Sequence, residues 1–267
     1  METRYLGFDH TRIAVHVHGN GPLALLLHGY PLDHRMWLQT LHGPLAEQRT
    51  LVAIDLRGHG HSPYCGDAEH SMAIFADDVA TVVHTLTDDC VDLVGLSMGG
   101  YIAQEFARRH RALLRSLVLV NTRARADDEA AANGRLAAAQ LVVEQGRAAL
   151  ARTMLPRLLA DTSAGSEQGL LLRARLQTMI EAQPVETIVA DLRGLRSRPD
   201  YTAQLAGLSL PVLCVAGAAD SITPAAEMQA MARAMPQGRC VVLPGCGHLT
   251  PMEDPQGFAA TLAEFWR

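Results

Sequence analysis

Five residues, Gly95-Leu96-Ser97-Met98-Gly99, constrain this chain more than any others. An apolar run, Val91 to Val94, precedes them and reads as a short buried strand. Tyr101 to Ala107 follows and reads as the start of a helix. The flanking glycines lack a Cβ, so strand and helix can approach closely around a strained turn at Ser97. Such a turn exposes the Ser97 hydroxyl at the carboxyl end of the strand and aims the Met98 amide at the same spot. That is a nucleophile beside half of an oxyanion hole. The pattern recurs by chance in many sequences, so its meaning rests on the strand–turn–helix setting and on partners elsewhere in the chain.

The setting extends in both directions. Arg4–Asp9 and Arg12–His18 alternate polar with apolar residues around a turn near Asp9-His10, as in an antiparallel hairpin. Leu23–Leu27 and Thr50–Asp55 are apolar strands, and the first has the continuous character of a strand covered on both faces. Ser71–Leu86 has helical periodicity with Ser71 as N-cap, and Leu114–Val120 is a further strand. Asp33 is expected to cap the helical stretch that follows it. After Asn121 the alternation stops. Helical stretches Glu129–Gln145, Arg147–Ala160, Gln168–Ala182 and Pro184–Ser197 follow, punctuated by Pro156, Gly165, Pro184 and Pro199. About 75 residues without a strand exceed an ordinary crossover, which predicts a helical cap over residues 123–205 inserted into a core of residues 1–122 and 206–267. Strand Val212–Ala216, helix Thr223–Met235, strand Arg239–Leu243 and a closing helix from Asp254 to Trp266 restore the alternation. Strands alternating with helices imply a mainly parallel sheet with its site at the carboxyl ends of the strands.

Composition narrows the chemistry. At 267 residues, 48% apolar and 19% charged, the chain can bury one large core. Its 23 basic residues are all arginine, so lysine Schiff-base chemistry and phosphate-loop nucleotide hydrolysis are excluded. A net charge of -5 without a basic block argues against a nucleic-acid partner. Cys65, Cys90, Cys214, Cys240 and Cys246 read as free, buried thiols of a reducing compartment. No apolar run approaches the ~20 residues of a membrane helix, and the amino terminus has no apolar signal core, so a cytoplasmic protein without a membrane partner is expected, as monomer or homodimer. His16 with His18, and His59 with His61, have the spacing of metal-ligand pairs. A surface strand face is expected for the first pair and loop-tying hydrogen bonds for the second, with no metal and no cofactor.

Ser97 needs a base and an orienting acid. Gly217-Ala218-Ala219-Asp220 follows one late strand, and Gly245-Cys246-Gly247-His248 follows the last. Asp220 fits a buried orienting carboxylate, and His248, on a loop able to bend back over the sheet, fits the general base. Ser, Asp and His then occur in that chain order. His28-Gly29-Tyr30-Pro31, at the end of a central strand, can present the Tyr30 amide as the second oxyanion donor beside that of Met98. His28 itself is expected to hold the loop through hydrogen bonds. An apolar acyl pocket is expected around Met154, Leu155, Met179 and Leu249. The alternative for the cap residues is packing between its own helices. Arg123 and Arg125 are open between steering an acidic substrate and lying on solvated faces.

Taken together, His28-Gly29-Tyr30-Pro31, Asp55-Leu56-Arg57-Gly58-His59-Gly60-His61-Ser62, Gly95-Leu96-Ser97-Met98-Gly99-Gly100, Gly217-Ala218-Ala219-Asp220 and Gly247-His248 resemble the motifs of the α/β-hydrolase fold, from about Leu23 to the end. The resemblance implies an eight-stranded, mostly parallel sheet flanked by helices, with a helical cap entering after the sixth strand. It implies a serine hydrolase acting on a small-molecule ester or lactone through an acyl-enzyme. Ser97 departs from haloalkane dehalogenases and epoxide hydrolases, which carry an acid there. The absence of lysine departs from plant-type hydroxynitrile lyases, and Leu96 from carbon–carbon bond hydrolases with Asn before the serine. The motifs also resemble 3-oxoadipate enol-lactonases, though the only tryptophans, Trp37 and Trp266, lie outside the cap. They resemble cofactor-free perhydrolases (haloperoxidases) as well. A further alternative is a receptor-like module that keeps the triad and signals by cap movement.

Overall fold

The structure, a computed structural model, describes residues 1–8, 11–160 and 166–267. The turn expected at Asp9-His10 and the break expected at Gly165 lie outside them. Eight strands form one sheet: β1 (Glu2–Phe8), β2 (Thr11–Gly19), β3 (Leu23–Leu27), β4 (Thr50–Asp55), β5 (Val91–Leu96), β6 (Leu114–Val120), β7 (Val212–Gly217) and β8 (Gly238–Leu243). Their order is β1-β2-β4-β3-β5-β6-β7-β8. The β1–β2 and β2–β4 pairings are antiparallel and the other five parallel. Strand β3 lies between β4 and β5, where the chain reverses its direction of progress across the sheet. In an open parallel sheet that is where the strand ends part and a crevice forms.

The inner strands are largely apolar because both sheet faces are covered, and the buried Asp92 on β5 is met by the Ser116 hydroxyl on β6 at 2.7 Å. On β3, Leu25 and Leu27 enter one core with Phe75, Val79, Ile102 and Phe106, while Ala24 and Leu26 enter the opposite core with Trp37, Leu41, Phe258 and Leu262. Helices α1 (Met72–Leu86) and α2 (Met98–Arg109) supply the first layer. The Ser71 hydroxyl caps α1 by accepting the Ile74 N–H at 3.2 Å. Asp33 does the same for the 3-10 turn His34–Trp37, accepting the Arg35 N–H at 3.0 Å.

Between β6 and β7 the described chain forms α3 (Glu129–Gln145), α4 (Arg147–Leu158), α5 (Glu167–Ala182) and α6 (Val185–Ser197). Pro156 sits inside α4 near its end rather than before it. Leu150, Leu176, Met179, Ile180 and Ile188 from these helices join the core that also holds Trp37 and Phe258. Each large side chain buried there contributes about 1.5–3 kcal/mol, so these helices are packed onto the sheet rather than tethered to it. The two ends of the segment are held together by Asp127 and Arg198, 2.5 Å apart with both side chains inaccessible to water. Helix α7 (Ala225–Ala234) follows β7, and α8 (Pro255–Phe265) closes the chain.

Two local expectations need correction. His16 is not on a surface face, because β2 is an interior strand between β1 and β4 and His16 is completely buried. Of the cysteines, all free, only Cys214 and Cys246 are buried, while Cys90 is exposed, since it lies in the turn before β5 rather than in the strand. Among the described residues, no helix is long and apolar enough to cross a membrane.

Candidate active site

Ser97 lies between β5 and α2 with φ 53° and ψ -111°, a left-handed conformation that costs a non-glycine residue about 1–3 kcal/mol. The surroundings impose it. The Ser97 N–H donates to Val120 O at 2.9 Å, and its carbonyl accepts the Gly100 N–H at 2.9 Å and the Thr122 hydroxyl at 2.9 Å. A Cβ on Gly95 would stand 2.1 Å from Gly99 O, and one on Gly99 would stand 2.4 Å from Leu27 O. Backbone fills the space a side chain would need, so Gly95→Ala is expected to cost at least about 1–3 kcal/mol by overpacking. Urea denaturation reads this directly, and an unchanged midpoint would mean the turn yields more easily than its contacts imply.

His248 approaches from the loop after β8. Its Nε2 is 2.9 Å from Ser97 Oγ and its Nδ1 is 2.8 Å from Asp220 Oδ2. Asp220, in the loop after β7, also accepts the Ile222 N–H at 2.8 Å and the Thr223 N–H at 3.0 Å on Oδ1, and the Asn121 side-chain amide at 2.8 Å on Oδ2. Burial would raise the Asp220 carboxyl, but the His248 hydrogen bond and charge, the Thr223 amide and Asn121 together hold it below its ordinary value. It therefore stays ionised across the neutral range and can orient an imidazole and balance its charge.

The loop after β3 also lies beside Ser97. A Cβ on Gly29 would lie 3.5 Å from Ser97 Cβ, so the Gly29–Tyr30 backbone stands beside Ser97. Among the described residues neither the Tyr30 nor the Met98 amide donates to a protein acceptor. Met98 is also the first residue of α2, where unsatisfied N–H groups and the helix dipole favour negative charge. His28 is buried, accepts the Leu56 N–H on Nε2 at 3.1 Å and donates from Nδ1 to Gly29 O at 3.1 Å. Burial and the neighbouring His59 lower it to about 4, so it is a neutral strut of the loop.

Of the other residues singled out by sequence, Met179 and Leu249 are fully buried, and Met154 and Leu155 half-buried, in the core shared by the inserted helices and the sheet. Arg125 pairs with Glu227 at 2.8 Å, and Arg123 donates to Ile222 O, so both guanidinium groups are engaged by the β7–α7 region. Glu253 carries weight that sequence reasoning missed. Its carboxylate accepts the N–H groups of Gly247 (2.9 Å) and Leu249 (3.1 Å), on either side of His248, and of Ala160 (2.8 Å) beyond α4. An acid six residues after Gly247 is the available signal.

Two histidine clusters lie apart from Ser97. Asp55 accepts His16 Nε2 at 3.0 Å, His34 Nδ1 at 2.9 Å, and the backbone N–H groups of His34 (2.8 Å) and His61 (2.9 Å). His16, His34 and Asp55 are close enough to suggest a shared metal. However, the His16 and His34 rings are stacked, 3.4 Å between centroids and 17° between planes. A metal binds imidazole nitrogen in the ring plane, and nearly parallel planes so spaced share no point within bonding reach of both nitrogens. The cluster suits a carboxylate saturated by donors better than an ion. The second cluster is Asp191 on α6, 2.7 Å from His70 Nδ1 and 2.9 Å from His59 Nε2.

Comparison with known proteins finds relatives along the whole chain. The profile of the alpha/beta hydrolase family matches residues 24–261. A pimeloyl-[acyl-carrier protein] methyl ester esterase of Aeromonas hydrophila is 30% identical over 95% of this chain and 98% of its own length. A thermophilic esterase from Thermogutta terrifontis superposes with a TM-score of 0.94 at 35% identity, covering 100% of this chain and 98% of that one. The enol-lactonase from Burkholderia xenovorans LB400 shares the fold at a TM-score of 0.90 and 24% identity, over 98% and 99% of the two chains.

Proposed function

Since the chain belongs to the alpha/beta hydrolase family, we propose that it hydrolyses small carboxylic esters through an acyl-enzyme on Ser97. The observation that carries this reading is the chain of contacts from Ser97 Oγ to His248 Nε2 (2.9 Å) and from His248 Nδ1 to Asp220 Oδ2 (2.8 Å). A serine hydroxyl is a weak nucleophile at neutral pH, and an imidazole with an ordinary value near ~6.5 can take its proton. The Ser97 oxygen then attacks the ester carbonyl carbon. The negative charge passes to the carbonyl oxygen, where the Tyr30 and Met98 amides and the start of α2 receive it. His248 returns the proton to the leaving alkoxide as the carbon–oxygen bond breaks. A water, deprotonated by the same imidazole, releases the acid and restores Ser97. Asp220 holds the imidazole tautomer and offsets its transient positive charge.

Residues 123–205 act in this reading as a cap over the strand ends, with Met154, Leu155, Met179 and Leu249 walling an apolar acyl pocket. The esterase relatives support an ester over a lactone, and the methyl ester esterases among them suggest small alcohol leaving groups. The test is fluorophosphonate labelling with the modified peptide mapped, followed by turnover of p-nitrophenyl esters of graded acyl length, methyl esters, an enol-lactone and a peracid assay. Labelling at Ser97 with fastest turnover of short esters is expected. A chain that takes no label and turns over none of the panel, yet binds a ligand tightly, would be a receptor-like module instead.

A further inference from the structure

The residue just after β6, Asn121, is fully buried and holds φ 45°, a left-handed backbone that asparagine tolerates better than most residues. Its N–H donates to Val215 O at 2.9 Å, continuing the β6–β7 pairing by one residue. Its side chain reaches three points of the site. Nδ2 donates to Asp220 Oδ2 at 2.8 Å, the oxygen that also meets His248 Nδ1, and to Gly247 O at 3.3 Å, just before His248. Oδ1 accepts the Thr250 hydroxyl at 2.9 Å, two residues after His248. The amide orientation is fixed by these partners, because a flip would set oxygen against both the carboxylate and the carbonyl. The neighbouring residues hold the nucleophile: Thr122 Oγ1 donates to Ser97 O, and Val120 O accepts from Ser97 N.

We propose that Asn121 is a positioning residue, whose amide, acting through Asp220 and the His248 loop, sets the angle at which the imidazole meets Ser97. The proposal rests on the ester-hydrolase reading above. The physical reason is a division of labour on the Asp220 carboxylate. Two backbone N–H groups fix Oδ1, and Oδ2 is shared between His248, which must carry and release a proton, and Asn121, which never changes charge. A fixed donor on Oδ2 keeps the carboxylate from following the imidazole when the proton moves. The same amide pins Gly247, so the carboxylate and the loop bearing the base keep one register. An offset of about 1 Å between base and nucleophile is enough to cost about a hundredfold in rate.

Three variants separate positioning from support of the fold. Asn121→Gly permits the left-handed backbone and removes the amide. Asn121→Asp keeps the size and the Thr250 contact but exchanges the donor for a carboxylate. Thr250→Val frees Oδ1 without opening a cavity. For p-nitrophenyl acetate, Asn121→Gly is expected to lower kcat about 10- to 100-fold with KM within about threefold of wild type. Asn121→Asp is expected to lower kcat and displace the acidic limb of kcat/KM from its wild-type position, because two carboxylates 2.8 Å apart share one proton and the charge that Asp220 offers the imidazole changes. Thr250→Val, which retains all of the site's charges, is expected to lower kcat a few-fold and carries the test should Asn121→Gly not fold. The downfield proton resonance of the His248 Nδ1–H is expected to shift or broaden in Asn121→Gly. A purely structural Asn121 would lower the melting temperature and leave kcat, the acidic limb and this resonance at wild-type values, and that result overturns the proposal. If the wild type hydrolyses no ester and takes no fluorophosphonate, the ester reading fails. The resonance then decides the positioning role by itself.

Discussion

Ser97→Ala is expected to reduce kcat/KM for a short p-nitrophenyl ester by at least about 10⁴-fold, or about 5 kcal/mol of transition-state stabilisation, without unfolding the protein. The size follows from what is removed. His248 retains Asp220 at 2.8 Å but loses its contact at 2.9 Å with a nucleophile, so it can only assist water directly. The Tyr30 and Met98 amides and the start of α2 survive, and the residual rate should reflect them alone. The fold should tolerate the change, since Ser97 keeps its place through its backbone, which bonds to Val120, Gly100 and Thr122 whatever side chain it bears. Loss of one partly buried hydrogen bond costs about 0.5–1.5 kcal/mol. The measurement is steady-state kinetics beside a thermal melt. Activity within tenfold of wild type in a folded Ser97→Ala protein would remove the acyl-enzyme reading.

How far the sequence carries toward this site depends on the distance over which each residue finds its reason. The strands are legible because their apolar runs are local and both sheet faces are covered. Ser97, Asp220 and His248 are each marked by position, since a chemically active side chain beside glycine at a strand end has little local packing to do. Asn121 has no such mark. Its partners, Asp220, Gly247 and Thr250, lie about a hundred residues or more further along the chain, and only the folded sheet brings them together. His16 misleads for the same reason. Its strand reads as a polar–apolar alternation with one wet face, yet β2 is covered on both sides, and the carboxylate that makes burial tolerable comes from β4. The metal-like spacing of His59 and His61 likewise separates in space. His59 turns to Asp191 on α6, while His61 is exposed and uses its backbone N–H on Asp55.

Asp191→Ala should be the most damaging change away from Ser97 and its partners, at about 3–5 kcal/mol near pH 6 by urea denaturation, the cost of breaking a buried ion pair from one side. Asp191 is completely buried on α6 and joins that helix to the segment after β4 through His59 and His70. Its neighbours have no slack. Thr187 Oγ1 donates to Gly58 O at 3.0 Å, the His70 N–H donates to Ala190 O at 3.0 Å, and a Cβ on Gly194 would stand 1.7 Å from His70 O. Burial alone would lower His59 and raise Asp191. The Asp191 charge instead holds His59 above its ordinary value, with help from Asp33, and the His59 charge 2.9 Å away and the hydrogen bond from His70 hold Asp191 below its own. His28, 4.7 Å from His59 between ring centroids, is neutral and opposes this little near pH 6, while Asp67 lies 4.0 Å from the far side of His70. The signs then fix a window. The Asp191 contribution is present above the ordinary carboxylate range and is lost as pH falls through its depressed value. The His59 contribution is complete below ~6.5 and is lost as pH rises through its raised value, so both act together between about pH 4 and 6.5. In the alanine variant His59 is buried without its nearest counter-charge and burial favours its neutral form, so the variant's stability improves on the alkaline side. The penalty of the substitution should therefore be greatest near pH 6 and shrink toward pH 9. Asp191→Asn, which keeps the shape and one acceptor, should show a smaller penalty with the same trend. A penalty that is flat or growing with pH, or below about 1 kcal/mol at pH 6, would mean that apolar packing through Ile188, Leu192 and Leu195, and not the shared charge, holds α6 in place.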